Sequence, residues 1–407
     1  MSLASNIEFL RHLPKMTDLK GFATSSRDAR SAGSRLSETT GFGDNPGDLR
    51  MFSFVPADLP KSSGMVVVLH GCTQSAAGYD IGAGWSALAE RYGFALLMPE
   101  QKRSNNANGC FNWFLPEDTM RESGEAGSIR QMIEQMTRTA GIDRRRIFVT
   151  GLSAGGAMTT AMLATYPEVF AGGAVIAGLP YGIASNVQEA LKGMFQSPPR
   201  AAAELGDLVR KASTHKGPWP RLSVWHGSAD RTVSPANADE IVKQWLDVHQ
   251  LPATPMSEAT VDGYPRQVWW NADGETVVES YTITNMAHGT PLGTAENDER
   301  YGAEGAFLIE AGISSSYRIA QFFGLTGRVH QSQAREKPKE SLKPVSQPIL
   351  TPTPERARQL APALKVRAAG DRRAEPRERP SRRAIDVSAV ITRALTAAGL
   401  IKNGDTT

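Results

Sequence analysis

The stretch IFVTGLSAGG, residues 147–156, predicts a short apolar strand that runs into a tight turn with Ser153 at its tip. Gly151 and Gly155 lie two residues to either side of the serine, so the backbone can bend sharply between strand and helix. Residues 157–166 favour a helix, and Ser153 would then lie at a helix N-terminus whose amides stabilise developing negative charge. The pattern therefore predicts a nucleophile elbow, and a glycine-rich turn that only joins strand to helix is the structural alternative.

Outward from this turn, apolar runs alternate with helical stretches between residues 49 and 325. This alternation indicates an α/β fold with a mostly parallel central sheet and helices on both faces. Residues 65–69, MVVVL, are apolar and mostly β-branched, as in a buried central strand. The segment 180–220 contains several prolines and is expected to form a small cap or lid over the sheet edge. Further strands are predicted at residues 94–98, 174–176, 222–225 and 277–283, and further helices at 86–92 and 127–140.

The composition is that of a globular chain with a sizeable core, since 40% of its 407 residues are apolar. It contains no apolar run of about eighteen residues, which argues against a membrane-spanning helix. Residues 1–40 form an N-terminal extension of mixed polar character, to which we assign only a short helix near 7–13. Residues 1–30 lack the apolar core of a secretory signal, and this favours a cytoplasmic location.

Residues 327–383 form a basic, proline-rich segment. From residue 328 it carries fifteen Lys or Arg against six Asp or Glu, with eight prolines and no aromatic residue. Such a segment cannot bury enough apolar surface to offset its chain entropy, so we predict a disordered linker. A tether for an anionic surface is the alternative, and the lack of interleaved aromatics argues against nucleic acid as a partner. Residues 384–402 then show apolar positions at helical spacing, which predicts a short amphipathic helix that either docks on the catalytic domain or binds an apolar surface.

A serine nucleophile needs a base, and the sequence has seven histidines. In α/β-hydrolases the catalytic residues follow the chain order serine, acid, histidine, which favours His288 over His249 and His330. His288 follows the predicted strand 277–283 and lies in the loop NMAHGTPLG, whose glycines would bring the imidazole to the sheet edge. A histidine of a surface loop is the structural alternative.

The acid is expected at the end of a strand between these two residues. Asp230 follows the run LSVWHG in the loop GSADRTVSP, whereas Asp239 and Asp247 fall on the next predicted helix and look solvated. A turn-forming aspartate is the structural alternative. The predicted triad is therefore Ser153, Asp230 and His288. In it the histidine takes the serine proton and the aspartate fixes the imidazole tautomer.

The oxyanion that forms during acyl transfer needs two backbone amides as hydrogen-bond donors. One is predicted at Ala154, directly after the nucleophile, and the second in the loop HGCT that follows the strand 65–69. Cys72 and Thr73 are both candidates, and the sequence does not choose between them. The sequence has no HExxH motif and no cluster of His and Cys, so we predict neither a metal nor another cofactor.

Several long motifs in order give the chain a family resemblance: LHGCTQSAAGYDIGAGWSALAERYGFALLMPEQ, NGCFNWF, GLSAGGAMT and HGSADRTVSP. Across residues 49–325 the chain resembles the poly(3-hydroxybutyrate) depolymerase family of esterases, which is related to the feruloyl and acetylxylan esterases of carbohydrate esterase family one. The resemblance implies an α/β-hydrolase fold for a catalytic domain at residues 41–326, the triad predicted above, and a cleft for short 3-hydroxyacyl esters.

The resemblance extends to side chains beside the site. The stretch CFNWF resembles the family's aromatic segment, so Asn112 and Trp113 are expected to line the acyl cleft, although a core tryptophan is equally common. Relatives join the matching pair of cysteines, which implies a Cys72 to Cys110 disulfide that would stabilise the fold by about 3 to 4 kcal/mol. Two free thiols in a cytosolic enzyme are the alternative, whereas a disulfide and the family resemblance favour an extracellular location.

Three functions are compatible with the sequence. The leading one is a serine esterase that cleaves short-chain 3-hydroxyalkanoate esters or polyhydroxybutyrate through an acyl-enzyme, with a polyester granule as a candidate surface for residues 384–402. The second is a feruloyl- or acetylxylan-type esterase, which would differ in its cleft and cap. The third is a non-catalytic protein that binds an apolar particle, and a complete triad argues against it.

Overall fold

The computed structural model describes residues 33–327 of the chain. The predicted linker beyond residue 327, the predicted helix at 384–402 and the short helix near 7–13 lie outside the described residues. Among the described helices, none combines the length and the apolar composition that crossing a bilayer requires.

One large sheet of ten strands forms the centre of the fold. The strands are β1 (Ser37–Thr39), β2 (Arg50–Phe54), β3 (Met65–Leu69), β4 (Ala95–Glu100), β5 (Ile147–Leu152), β6 (Gly172–Ile176), β7 (Arg221–Gly227), β8 (Ser257–Val261), β9 (Tyr264–Trp270) and β10 (Thr276–Ile283). They lie in the order β1-β2-β4-β3-β5-β6-β7-β10-β9-β8. The strands from β4 to β10 in this order are parallel, and the two strands at each edge are antiparallel to their neighbours. The loops after the parallel strands therefore meet at one edge of the sheet.

Helices cover both faces of this sheet. They are α1 (Ala76–Ala83), α2 (Trp85–Tyr92), α3 (Pro116–Thr119), α4 (Gly124–Ala140), α5 (Ala154–Thr165), α6 (Val187–Gln196), α7 (Ala202–Ala212), α8 (Ala236–His249) and α9 (Ser315–Phe322). Successive residues of β3 enter opposite apolar cores, because side chains alternate along a strand. Val67 joins the core shared with α4, α5 and α8, and Val66 joins the core shared with α1, α2 and α9.

The predicted fold class is confirmed, and β3 has the predicted bounds. A further pair of strands, β11 (Thr290–Leu292) and β12 (Leu308–Glu310), forms a small parallel sheet of its own. The β8–β9 hairpin was not predicted, although its turn is present in the sequence. Asp262 and Gly263 have φ values of 49° and 87°, as a two-residue type I′ turn requires.

Two predicted boundaries differ from the structure. β1 pairs with β2, so the catalytic domain begins before residue 41 and includes the end of the predicted N-terminal extension. The predicted cap at 180–220 contains two helices, of which α7 buries Leu205 and Val209 against α5 and α8. It is therefore part of the helical layer on one face of the sheet. Only the region around α6 lies beside the loops at the edge, since Ser234 N donates to Met194 O at 2.7 Å.

Candidate active site

Ser153 forms the tip of the turn between β5 and α5. Its φ of 58° and ψ of −119° lie outside the ordinary region for a residue with a side chain, as in the strained turn that exposes a nucleophile. The backbone is held there because Ser153 N donates to Ile176 O at 2.9 Å. Gly155 permits the close approach of β3, since a Cβ at this position would lie 2.3 Å from Leu69 O. The predicted strand, turn and helix are thus all present.

His288 and Asp230 occupy the loops after β10 and β7, which are adjacent parallel strands. His288 Nδ1 lies 2.7 Å from Asp230 Oδ2, and both side chains are buried. Gly227 at the end of β7 allows this approach, because a Cβ there would lie 2.3 Å from Met286 O. The predicted pairing of base and acid is therefore a direct hydrogen bond in the structure.

Asp230 accepts a full set of hydrogen bonds. Its Oδ1 accepts from Thr232 N at 2.8 Å and from Val233 N at 2.9 Å. Its Oδ2 lies near His288 and also 3.2 Å from His226 Nε2. Burial by itself would raise the pKa of Asp230, but the hydrogen bonds from the two histidines outweigh burial and lower the pKa below its ordinary value. The carboxyl is therefore ionised at neutral pH.

Ser153 and His288 lie at the same edge of the sheet and are 9% and 8% exposed. The loop after β3 contacts residues next to both sides of the site. Gly71 comes so close to Leu152, the residue before Ser153, that an added Cβ would lie 3.4 Å from Leu152 O. In the same loop, Gln74 Nε2 donates to Ala306 O at 3.3 Å.

The next residue, Phe307, meets the His288 ring edge-on with ring centroids 5.8 Å apart. Within residues 33–327 no hydrogen bond yet joins the Ser153 hydroxyl to His288, a contact that often tightens only when substrate binds.

The amides of the two oxyanion candidates differ in their partners. Thr73 N donates to Asn108 O at 2.7 Å, so it is not available as the second donor. Gly71 N donates to Gln74 Oε1 at 2.8 Å. Within the described part of the chain, the amides of Cys72 and Ala154 have no acceptor. Of the alternatives that the sequence left open, the structure therefore favours Cys72.

His70 supports this loop from behind, a role that the sequence analysis did not predict. The ring is fully buried, and its Nδ1 lies 2.8 Å from Gly71 O. Its Nε2 accepts from Gln101 N at 3.2 Å, so the hydrogen is on Nδ1. Burial lowers the pKa of His70, which keeps the ring neutral. In the sequence, the position of His70 directly after the buried strand β3 was the feature that could have indicated this supporting role.

Asn112, which is predicted to line the acyl cleft, is buried and makes its side-chain hydrogen bonds within the fold. Its Nδ2 donates to Glu125 Oε1 at 2.8 Å, and its Oδ1 accepts from Asn106 Nδ2 at 2.9 Å. Burial, with repulsion from Asp118, raises the pKa of Glu125 well above its ordinary value. The network holds the aromatic segment in place.

Trp113 is half-buried beside the first turns of α5. It packs against the small apolar cluster of Ala157, Leu179 and Val233, which α6 completes through Met194. This cluster joins α5, the helix that follows Ser153, to the loop that carries Asp230. Trp113 thus stays a candidate for the acyl cleft.

Cys72 and Cys110 form a disulfide, as the family resemblance implied. It links the loop after β3 to the segment that precedes Trp113. Gln101 Nε2 donates to Cys110 O at 3.1 Å, which adds a second tie to the same segment. The alternative of two free thiols is not what the structure shows.

One cavity among the described residues lies away from the predicted triad. A cavity of about 380 Å³ lies between α6 and the first turn of α8, with Asn237 in its wall, but none of the triad residues lines it. We therefore assign the site from its chemistry rather than from the cavity. Residues 33–327 contain no group of three His, Cys, Asp or Glu side chains that could hold a metal ion.

Comparison with known proteins gives the family. A family model described as esterase PHB depolymerase matches residues 52–260, more than half of the chain. The chain belongs to the esterase PHB depolymerase family. The predicted α/β-hydrolase fold and the predicted carboxylic ester hydrolase are both confirmed for this family member.

Its relatives include enzymes named for two kinds of ester. Poly(3-hydroxyalkanoate) depolymerase C of Paucimonas lemoignei is 47% identical over 293 residues, covering 72% of this chain and 70% of the relative. An acetylxylan esterase of Coprinopsis cinerea is 33% identical and covers 63% of this chain and 70% of the relative. Among solved structures, an acetyl xylan esterase from Aspergillus awamori is 25% identical with a TM-score of 0.61, covering 71% of this chain and 99% of that one.

Proposed function

We propose that this esterase hydrolyses ester bonds of short-chain 3-hydroxyalkanoates and their polyesters, with Ser153 as nucleophile, His288 as base and Asp230 as the acid of the triad. The observation that carries the proposal is the 2.7 Å hydrogen bond between His288 Nδ1 and Asp230 Oδ2, at the sheet edge where Ser153 forms the strained turn. A histidine oriented in this way presents Nε2 as the free nitrogen that can take a proton.

The reaction would proceed in two steps. Ser153 Oγ attacks the carbonyl carbon while His288 Nε2 takes the hydroxyl proton, and collapse of the tetrahedral intermediate sends that proton to the departing alcohol. Water then repeats the sequence on the acyl-enzyme, which releases the acid and restores the serine. In both steps Asp230 stabilises the imidazolium that forms.

The negative charge of the intermediate needs donors that are in place beforehand. Ala154 N lies at the N-terminus of α5, where the helix dipole also favours an anion. Cys72 N is the second donor we propose, since its amide has no acceptor within residues 33–327. Each such donor contributes about 3 to 4 kcal/mol of transition-state stabilisation in related sites.

The preference for 3-hydroxyalkanoates is supported by the similarity to a poly(3-hydroxyalkanoate) depolymerase at 47% identity. The similarity to acetylxylan esterases supports a second candidate, a deacetylase of plant polysaccharide. Both functions use the same triad, so they differ in what the cleft beside Trp113 accepts. Attachment to a polyester granule through residues 384–402 is a separate proposal, because that segment lies outside the described residues.

The chemistry is tested by Ser153→Ala. We expect hydrolysis of p-nitrophenyl butyrate to fall to the level of buffer while the thermal midpoint is kept, because only one hydroxyl is removed from a folded turn. Residual turnover close to wild type would rule out Ser153 as the nucleophile.

The substrate class is tested on the wild-type protein with hydroxybutyrate oligomers, acetylated xylan and methyl ferulate. A kcat/KM at least tenfold higher on the hydroxybutyrate oligomers supports the main proposal. The reverse order supports the polysaccharide or feruloyl ester candidates.

A further inference from the structure

A second histidine contacts the acid of the proposed triad. His226 is the penultimate residue of β7 and is 3% exposed. Its Nε2 lies 3.2 Å from Asp230 Oδ2 and 3.0 Å from Val233 O. The same Oδ2 accepts from His288 Nδ1 at 2.7 Å. Two imidazoles from neighbouring elements therefore share one carboxylate oxygen, and the reaction scheme above uses only one of them.

The contacts of His226 determine which of its nitrogens carries the hydrogen. Both neighbours of Nε2 are oxygen acceptors, so Nε2 is the donor. Its Nδ1 is buried and has no hydrogen-bond partner among residues 33–327. The hydrogen on Nε2 therefore points towards Asp230 and Val233.

This donor fixes the orientation of the carboxylate. The Oδ1 atom of Asp230 is held by the amides of Thr232 and Val233, which belong to its own loop. On the side of Oδ2, His288 lies in a separate loop, whereas His226 lies within the central sheet. His226 is thus the contact that ties Oδ2 to the rigid part of the fold. The same nitrogen also donates to Val233 O, which ties the loop that carries Asp230 to the end of β7.

We propose that His226 is a positioning residue of the triad, whose Nε2–H holds the Asp230 carboxylate in the orientation that receives His288 Nδ1–H. The inference rests on the proposed function of Ser153, His288 and Asp230. It adds a residue that touches neither substrate nor nucleophile and acts only through Asp230.

Two variants of His226 test this role. His226→Gln keeps an N–H donor near the position of Nε2, whereas His226→Phe keeps a flat ring without a donor. Loss of a hydrogen bond to a charged group predicts that kcat of the Phe variant on p-nitrophenyl butyrate falls about 10- to 100-fold. KM should stay within about twofold of wild type, because substrate does not contact this residue. We expect His226→Gln to recover kcat to within about threefold of wild type.

His249→Phe is the matched control. His249 is another largely buried histidine, but among residues 33–327 its ring bonds only the backbone carbonyl of Pro220, at 3.1 Å. Its replacement should leave kcat unchanged even where it lowers the thermal midpoint. If the His226 Phe variant does not fold, His226→Asn replaces it, since its shorter amide does not reach Asp230. The required order is then Gln above Asn in kcat.

Two results would overturn the positioning role. One is wild-type kcat in His226→Phe, and the other is a Gln variant that falls as far as the variant without a donor. In both cases Ser153→Ala without turnover would still support the proposed triad, so the two failures are distinguishable. Turnover that persists in Ser153→Ala would instead remove the function on which this inference depends.

Discussion

Asp230 is a buried residue whose negative charge the proposed mechanism requires at every step. Hydrogen bonds from His226 and His288 overcome the effect of burial and lower its pKa from the ordinary 3.8. Asp230→Asn should reduce kcat by up to about 10⁴-fold with a smaller change in KM, because an amide favours the wrong imidazole tautomer. Steady-state kinetics on p-nitrophenyl butyrate measures this. His288→Ala, which removes the base itself, should be at least as severe.

The same pKa shift has a consequence for stability. Since folding lowers the pKa of Asp230, its ionised form stabilises the fold above pH 3.8 and this contribution is lost as the pH falls below that value. The difference in unfolding free energy between wild type and Asp230→Asn should therefore be larger at pH 7 than at pH 3. An equal difference at both values, or a drop in kcat below tenfold, would move the acid to another loop.

Some residues of the proposed site could be predicted from the sequence, and others could not. Chain order and the turn around Ser153 were sufficient to predict His288 and Asp230, whose side chains the structure joins. The choice between Cys72 and Thr73 depended on a contact with Asn108 from a distant loop, which no local pattern contains. The contact between His226 and Asp230 could have been predicted, since His226 precedes Asp230 by four residues at the end of an apolar strand.

Among the structural elements, the loop after β3 is held by a disulfide and by hydrogen bonds to a distant segment. The Cys72 to Cys110 disulfide closes a loop of 38 residues, and Thr73 N donates to Asn108 O inside it. The double variant Cys72→Ser, Cys110→Ser should lose about 3 to 4 kcal/mol of unfolding free energy. At about 2 to 4 °C per kcal/mol this lowers the thermal midpoint by roughly 6 to 16 °C. The value of kcat should also fall, because the second proposed oxyanion donor is less well fixed.

Calorimetry and steady-state kinetics test this, with dithiothreitol as the control. The reductant should move wild type towards the double variant and leave the variant itself unchanged. A variant with the wild-type midpoint and kcat would show that hydrogen bonds such as that from His70 to Gly71 O suffice to hold the loop.

Elements were predictable where one periodicity dominated. The apolar run of β3 gave its bounds, because both faces of this strand are buried. The segment 180–220 was interpreted as a cap because its prolines suggested loops, yet Leu205 and Val209 follow helical spacing and bury α7. Proline and helical signals compete in this segment, and tertiary packing decides between them. The β8–β9 hairpin has mostly exposed or half-exposed side chains, which explains the weak apolar signal of its strands.

At the scale of the whole molecule, the C-terminal part of the described chain packs into the core formed by residues 33–327. The last described helix, α9, buries Ile319 in the core on one face of the sheet, and Leu325 is 5% exposed in the same core. Deletion of residues 328–407 should therefore leave the thermal midpoint unchanged. It should also keep kcat/KM on p-nitrophenyl butyrate within about twofold of wild type, because no residue of the proposed site lies in that segment. A collapse of stability would mean that the predicted helix at 384–402 belongs to the core.

The same deletion separates attachment from catalysis. An amphipathic helix gains binding free energy by burying its apolar face in a hydrophobic surface, and a basic segment adds attraction to anionic groups. If residues 384–402 attach the enzyme to polyester, the truncated protein should cosediment less with polyhydroxybutyrate particles at unchanged activity on soluble esters. Deletion of residues 384–407 alone is the matched control, because it keeps the basic linker. Equal cosedimentation of wild type and both truncations would place particle binding on the catalytic domain, where Trp113 and α6 flank the proposed cleft.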